Sequence, residues 1–175
     1  MYFRKVLVAW YVLILVPNAL ANGVNEWSLG LGHGEQNNDQ MNSILWSQWV
    51  FHRSHHDGFD LYAGTSFSML RTDAATNKHT ETFSVLGGIG LQLTKRLYFD
   101  LSIGPSFLTE RRLGGRTQGN QFAFQDLFLF RYELQEDVFL KFGKVHYSNG
   151  KLSSPNESFD VYPLVGVQFT SALFY

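Results

Sequence analysis

The sequence predicts an all-β protein, an eight-stranded antiparallel transmembrane β-barrel, and three observations support this prediction. Strand-length segments in which apolar residues alternate with small or polar ones recur along the chain. Aromatic residues make up 16% of the sequence, which suits the aromatic girdles of membrane barrels. The connections between the segments alternate between long and short, as they do in barrels with loops on one side of a membrane and turns on the other.

The chain begins with a segment that we interpret as a signal peptide over residues 1–21. Arg4 and Lys5 precede an apolar run over residues 6–16, and Ala19-Leu20-Ala21 has the small residues of a cleavage site. The remaining residues, 22–175, are expected to form one outer-membrane barrel domain. They contain no run of the ~20 apolar residues that a spanning helix needs, so a membrane would be crossed by strands in a closed barrel.

Eight strands are predicted in order along the chain, each bounded by turn residues. They cover residues 26–34, 43–53, 58–71, 79–93, 96–109, 121–134, 138–149 and 160–175. The alternation is clearest in the fifth strand at residues 100–104 and in the seventh at residues 141–144. The eighth strand has apolar Val165, Val167, Phe169 and Leu173 before the terminal Phe174-Tyr175. Such an aromatic end resembles the last strand of outer-membrane proteins.

Long polar loops are expected after the first, third, fifth and seventh strands, and short turns after the other three connected strands. The loops lie around residues 35–38, 72–75, 111–116 and 149–159, and the turns around 54–57, 94–95 and 135–137. In Gram-negative outer-membrane barrels the turns face the periplasm and the loops face outside. A soluble eight-stranded barrel of the lipocalin kind is the alternative architecture, although its aromatic excess would be harder to explain.

Composition excludes several classes of function. The absence of cysteine excludes a disulfide scaffold, thiol catalysis and thiolate metal sites. The formal net charge of −1 gives no argument for nucleic-acid binding. His52, His55 and His56 lie near a predicted turn without a clear set of carboxylates, so we assign no metal site. Transport is not expected either, because an eight-stranded barrel is filled by its own side chains.

His146 and Ser148 form the candidate catalytic pair. Residues two apart on a strand share a face, so the imidazole can draw a proton from the serine hydroxyl. Val138, Leu140 and Phe142 have the same parity, which predicts that this face meets lipid. The pair lies at the outer end of the strand, where a polar group costs only ~0–1 kcal/mol. Taken alone, however, such a pattern is more often a polar pair at a barrel rim.

The wider pattern resembles the lipid A 3-O-deacylase family of the PagL type. His146-Tyr147-Ser148-Asn149 is followed by Pro155-Asn156 and then by an acid at Asp160, at the spacings of that family. The segment Phe122-Ala123-Phe124-Gln125-Asp126 is also similar to the sixth strand of its members. The resemblance implies an eight-stranded outer-membrane barrel that removes the ester-linked 3-hydroxyacyl chain at position 3 of lipid A.

The resemblance also implies a role for each residue of the site. His146 is the general base, Ser148 the nucleophile, Asp160 the orienting acid, Asn156 a contributor to the oxyanion hole and Asn149 a supporting residue. The sequence departs from the family at two points. Asp160 replaces the usual glutamate and is one methylene shorter, and Gly150-Lys151 stands where the family often has Ala-Gly.

The position of Asp160 within its strand poses a difficulty. Val161, Val165, Val167 and Phe169 are expected to face lipid, which gives Asp160 the opposite parity. Asp160 then reaches His146 only if the chain has not yet settled into the strand, or if a bulge turns the side chain to the other face. Glu157 is the alternative acid.

We therefore predict an outer-membrane serine esterase, a carboxylic ester hydrolase that acts on lipid A or lipopolysaccharide and needs no metal or organic cofactor. A homodimer is left open. Arg111, Arg112 and Arg116 are either contacts for lipid A phosphates or a solvated cluster in the third loop. The main alternative function is a non-catalytic small barrel of the adhesion or resistance kind. A barrel lipid A acyltransferase is a further alternative.

Overall fold

The strands pair into a closed antiparallel barrel of eight, which confirms the predicted fold class. The computed structural model describes residues 25–36 and 39–170. The strands in chain order are β1 (Glu26–Gln36), β2 (Asp39–His56), β3 (Phe59–Thr72), β4 (His79–Gln92), β5 (Leu97–Leu108), β6 (Arg112–Leu113), β7 (Arg116–Thr117), β8 (Phe122–Gln135), β9 (Val138–Ser148) and β10 (Phe159–Thr170). The short strands β6 and β7 form a separate hairpin between β5 and β8, and β10 pairs with β1 to close the barrel.

Two of the sequence predictions lie outside the described residues. These are the signal peptide over residues 1–21 and the aromatic end at Phe174-Tyr175. No helix in the described ranges is long and apolar enough to cross a membrane.

The connections differ between the two ends of the barrel, which we call the loop end and the turn end. The loop end carries residues 73–78, 109–121 and 149–158, and the turn end carries residues 57–58, 93–96 and 136–137. The predicted long loop around residues 35–38 is wrong, because β1 and β2 stay paired out to Gln36 and Asp39. Polar side chains do not prevent backbone pairing, so these strands extend beyond their apolar segments.

The outward face of the barrel is rich in exposed apolar side chains. They are found on most of the strands and include Leu31, Val85, Ile103, Phe107, Phe128, Phe142, Val165 and Val167. The interior holds an apolar cluster together with buried hydroxyl, amide and charged groups. A lipocalin-like soluble barrel would present polar side chains outward, so this arrangement favours the membrane architecture over that alternative.

A bulge in β10 resolves the parity of its residues. The register of β10 against β9 shifts between Val161 and Leu164, so Tyr162 and Pro163 interrupt the alternation. Val161 is fully buried in the barrel, whereas Val165 and Val167 are exposed on the outside. The prediction that Val161 faces lipid is therefore wrong. The inserted residue places Asp160 on the outward face, which is the rearrangement that a bulge was expected to produce.

A group of buried charges fills the barrel near the turn end, and we call it the turn-end cluster: Glu26, Arg53, Asp60, Asp100 and Arg131. The Arg53 guanidinium donates to both carboxylate oxygens of Glu26, at 2.6 and 2.9 Å, and to Asp60 at 3.0 Å. Arg131 donates to Asp100 at 3.1 Å. Each cation is thus compensated inside the barrel, which is necessary because an unpaired buried charge is costly.

Candidate active site

The outward face of β9 carries His146 and Ser148 near the loop end. The alternation of the strand is regular here, because Val145 and Tyr147 are fully buried while His146 and Ser148 are partly exposed. Phe142 lies further along the same outward face and is 40% exposed. The structure therefore agrees with the predicted division of β9 into two faces.

Asp160 lies directly across from His146 on the neighbouring strand β10. The His146 Nδ1–H donates to Asp160 Oδ1 over 2.7 Å. This contact leaves Nε2 as the ring nitrogen that can accept a proton. The structure thus brings together two of the predicted residues, His146 and Asp160, on the face that also carries Ser148.

Tyr147 points into the barrel from between the two candidate catalytic residues. Its hydroxyl group lies 2.7 Å from Ser68 Oγ on β3 and accepts from Thr82 Oγ1 on β4 at 3.0 Å. Gln125 Nε2 on β8 donates to the same oxygen at 3.2 Å. One side chain of β9 is therefore held by three other strands across the barrel interior, and sequence analysis gave no hint of this arrangement.

Asn149 organises the loop that follows Ser148. Its side chain is fully buried, and its Nδ2 donates to the Ser153 carbonyl and hydroxyl oxygens at 2.9 Å each and to the Pro155 carbonyl at 3.2 Å. Its Oδ1 accepts the Lys151 N–H at 2.9 Å. The structure thus places the Asn149 side chain at the centre of the hydrogen bonds that hold this loop.

Asn156 contacts the same loop from the other side. Its Oδ1 accepts the Asn149 N–H at 2.9 Å, so its Nδ2 is the part of the side chain that can donate to a ligand. The N–H groups of Asn149, Lys151 and Leu152 all bond within the loop. None of these contacts uses the N–H of Gly150, whose φ of 61° is left-handed.

The loop between β5 and β8 braces the segment that leads into Asp160. Arg116 Nε donates to the Ser158 carbonyl at 2.5 Å, and Gln118 Nε2 donates to the Glu157 carbonyl at 2.7 Å. Glu157 Oε2 accepts the Thr117 N–H at 2.5 Å. Glu157 is thus committed to this inter-loop contact, and the structure does not favour it as the alternative acid.

Two charged residues beside His146 were not assigned a role from the sequence. Asp126 lies directly across from His146 on the neighbouring strand β8, on the side opposite Asp160. Its Oδ1 is buried with no hydrogen-bond partner among the described residues. The Lys144 Nζ lies 2.7 Å from Asp160 Oδ1. The parity of β9 could have placed Lys144 on the outward face, but Asp126 could be located only once the register between strands was known.

The remaining charged candidates lie apart from this site. His55 Nδ1 bonds to Asp60 Oδ1 at 2.7 Å at the turn end. Among the described residues no group of three or more His, Cys, Asp or Glu side chains could hold a metal ion. Arg111 and Arg112 are exposed in the loop between β5 and β8, whereas Arg116 makes the inter-loop contact with Ser158.

Three solved structures resemble this barrel. The crystal structure of the outer membrane enzyme PagL gives a TM-score of 0.59 at 17% identity, over 83% of this chain and 98% of that one. The outer membrane protein Ail of Yersinia pestis, determined in a phospholipid bilayer nanodisc, gives 0.53 at 6% identity, over 85% and 99%. A de novo designed transmembrane β-barrel gives 0.50 at 10% identity, over 85% and 97%. At these identities the likeness concerns the fold.

Sequence comparison gives a more specific result. No curated protein sequence matches this chain significantly. The family model for lipid A 3-O-deacylase (PagL) matches residues 40–165, which is most of the chain and includes every candidate site residue from His146 to Asp160. The chain therefore belongs to the lipid A 3-O-deacylase (PagL) family.

Proposed function

We propose that this protein is an outer-membrane serine esterase that removes the ester-linked 3-hydroxyacyl chain at position 3 of lipid A. Membership of the family supports a lipid A deacylase, which is a hydrolase. The observation that carries the finer proposal is the hydrogen bond of His146 to Asp160, beside Ser148 on the outward face. A serine needs a base, and the base needs an orienting acid, for this chemistry to proceed.

Acylation begins when the Ser148 Oγ attacks the ester carbonyl carbon and His146 Nε2 takes the hydroxyl proton. Asp160 keeps the Nδ1–H pointing toward itself and stabilises the imidazolium that forms. The tetrahedral intermediate then collapses, and the bond from the carbonyl carbon to the sugar oxygen breaks. His146 returns the proton to that oxygen, which leaves as the free 3-hydroxyl group of the sugar.

Deacylation repeats the same proton transfers with water. His146 takes a proton from a water molecule as the water oxygen attacks the acyl-serine carbonyl. The bond to Ser148 Oγ breaks, and His146 returns the proton to the serine. The products are a 3-hydroxy fatty acid and a lipid A molecule with one chain fewer, and the serine is regenerated.

Two donors of the loop after Ser148 are candidates for the oxyanion hole. The Gly150 N–H is not used by the contacts that hold the loop, and the Asn156 Nδ2 lies on a side chain whose Oδ1 is fixed by Asn149. Donors fixed in advance stabilise the charge of the intermediate without having to reorganise. The Asn149 contacts would provide this rigidity.

The outward position of the pair suits an acyl chain that lies in the surrounding membrane. Apolar side chains dominate this face of the barrel, and Phe124 lies directly opposite Ser148 on β8. The Phe122 and Phe124 rings contact each other with centroids 5.2 Å apart. We infer that these aromatic residues contact the chain that is removed.

The test is mass spectrometry of lipid A from a Gram-negative host that expresses the wild-type protein. Ser148→Ala, His146→Ala and the control Thr76→Ala, in an exposed loop away from the site, are expressed to the same outer-membrane level. We expect the wild type and the control to remove one 3-hydroxyacyl chain and the two site variants to remove none.

Other results would support other functions. Unchanged lipid A with all four proteins, repeated with purified folded protein in detergent, would support a non-catalytic barrel. A lipid A species that gains an acyl chain when phospholipid is added would support an acyltransferase. Removal of a chain from a different position would preserve the esterase and reject the proposed site of cleavage.

A further inference from the structure

Lys144 shares a carboxylate oxygen with the candidate general base. Its Nζ lies 2.7 Å from Asp160 Oδ1, and the same oxygen accepts the His146 Nδ1–H at 2.7 Å. The other oxygen of Asp160 accepts the Ser158 hydroxyl at 2.9 Å. The carboxylate therefore accepts donors from β9 on one oxygen and, on the other, a donor from Ser158, which immediately precedes β10.

Aromatic side chains lie beside Lys144 on the outward face of the barrel. It lies on the outward face of β9, between Phe142 and His146, and Phe128 faces it across the pair with β8. Phe128 and Phe142 are 42% and 40% exposed on that same outward surface. An ammonium group on the lipid side of a barrel is costly away from the interfaces, and the contact with Asp160 compensates its charge.

We propose that Lys144 is a positioning residue that holds the Asp160 carboxylate against His146. The proposal rests on the proposed function, because it assigns a purpose to Asp160 as the orienting acid. A carboxylate can rotate about its last bond, which would carry Oδ1 away from the imidazole. Binding of Oδ1 by Lys144 and of Oδ2 by Ser158 opposes this rotation.

The proposal distinguishes an effect on turnover from an effect on binding. Lys144 lies further from the loop end than Ser148, so it is poorly placed to meet a headgroup anion at the membrane surface. A residue that acts through Asp160 should change kcat and leave KM nearly unchanged. A residue that binds a substrate phosphate should change KM instead.

The experiment compares purified, refolded wild type with Lys144→Met, Lys144→Gln, Lys144→Arg and Ser148→Ala. Lys78→Met, an exposed lysine of the loop end, is the matched control. Two rates are measured: release of fatty acid from lipid A, and covalent labelling of Ser148 by a fluorophosphonate, which needs an activated serine but no lipid A. Folding is checked by the gel shift of the unheated barrel.

We expect Lys144→Met and Lys144→Gln to lower kcat and the labelling rate roughly tenfold, about the value of one charge-assisted hydrogen bond. KM should stay within about twofold, Lys144→Arg should recover most of the loss, and Lys78→Met should match the wild type. Unchanged kcat and labelling rate in folded Lys144→Met would overturn the proposal, and so would a rise in KM alone. Labelling of Ser148 without lipid A cleavage would reject the proposed function and still leave the role of Lys144 testable by the labelling rate.

Discussion

Asp160 connects three other side chains of the candidate site. It accepts hydrogen bonds from His146 and Ser158 and forms an ion pair with Lys144. Its side chain is short, so His146 can be reached only because the two residues are direct partners across β9 and β10. In the proposed mechanism this carboxylate holds the imidazole in one orientation.

Replacement of this carboxylate by an amide should therefore affect catalysis strongly. Asp160→Asn keeps the size of the side chain but removes the negative charge opposite His146. We expect kcat for release of the fatty acid to fall by at least about a hundredfold, with the barrel still folded. The measurement is the rate of fatty acid release by purified protein in detergent.

Glu157→Gln is the matched control, because its carboxylate contacts the Thr117 N–H rather than the imidazole. This variant should keep activity close to that of the wild type. A larger loss in Glu157→Gln than in Asp160→Asn would identify Glu157 as the orienting acid and contradict this assignment.

At the scale of the element, β9 is a strand whose two faces have different tasks. The outward residues His146 and Ser148 alternate with Tyr147, whose hydroxyl is bonded to groups from β3, β4 and β8 inside the barrel. A strand that is fixed on its inner face holds its outer residues in a narrow range of positions. Preorganisation of this kind would support a site whose outward side chains have no protein packed over them.

Tyr147→Phe tests this coupling between the interior and the site. The change removes one oxygen and leaves Ser68, Thr82 and Gln125 without their shared partner, because all three contact that hydroxyl. We expect the free energy of unfolding to fall by on the order of 1–3 kcal/mol and kcat to fall in the molecules that remain folded. Urea unfolding in lipid vesicles, followed by tryptophan fluorescence, measures the first quantity.

Tyr98→Phe is the corresponding control at the turn end. The hydroxyl of Tyr98 is exposed and accepts one long contact, from Gln92 Nε2 at 3.5 Å. Its removal should alter neither stability nor kcat appreciably. Equal stability of Tyr147→Phe and the wild type would show that the contacts of the Tyr147 hydroxyl do not stabilise the barrel.

The same scale explains which parts of the fold were predictable. Alternation within a strand is a local pattern, so the eight strands and the face that carries His146 and Ser148 could be read from the sequence. The bulge of β10 could not, because Val161 and Val165 fit one regular alternation unless Tyr162-Pro163 is known to interrupt it. Polar continuation of β1 and β2 was also missed, since hydrophobic periodicity reports burial rather than backbone pairing.

The parts of the site that could not be predicted from the sequence depend on contacts between strands. Asp126 and the partners of Tyr147 approach β9 from other strands, and their positions depend on the register of those strands rather than on spacing along the chain. The contact between His146 and Asp160 was predictable only on the condition that a bulge interrupts β10. Residues that meet across a barrel thus need the register before they can be recognised from sequence.

At the scale of the whole molecule, the two ends of the barrel have different contents. The candidate site lies at the loop end, and the turn-end cluster lies inside the barrel at the opposite end. This separation predicts that stability can be altered at one end with little effect on the chemistry at the other. Distant sites without shared partners generally behave additively.

Arg53→Met tests that separation. The substitution leaves Glu26 and Asp60 buried without the guanidinium that pairs with both of them. We expect the free energy of unfolding in lipid vesicles to fall by about 3–5 kcal/mol, while kcat per folded molecule is retained. Combining it with Glu26→Gln should restore part of the loss. A fall in kcat as large as the loss of stability would show instead that the two ends are coupled.

The sideways orientation of Ser148 has a consequence for how an enzyme of this kind meets its substrate. A nucleophile that faces outward from the barrel wall meets substrate molecules that diffuse within the membrane, in two dimensions rather than three. The concentration that governs its rate is then the number of substrate molecules per unit of membrane area. Dilution of that area with an inert amphiphile would slow the reaction even when the amount of substrate in the tube stays the same.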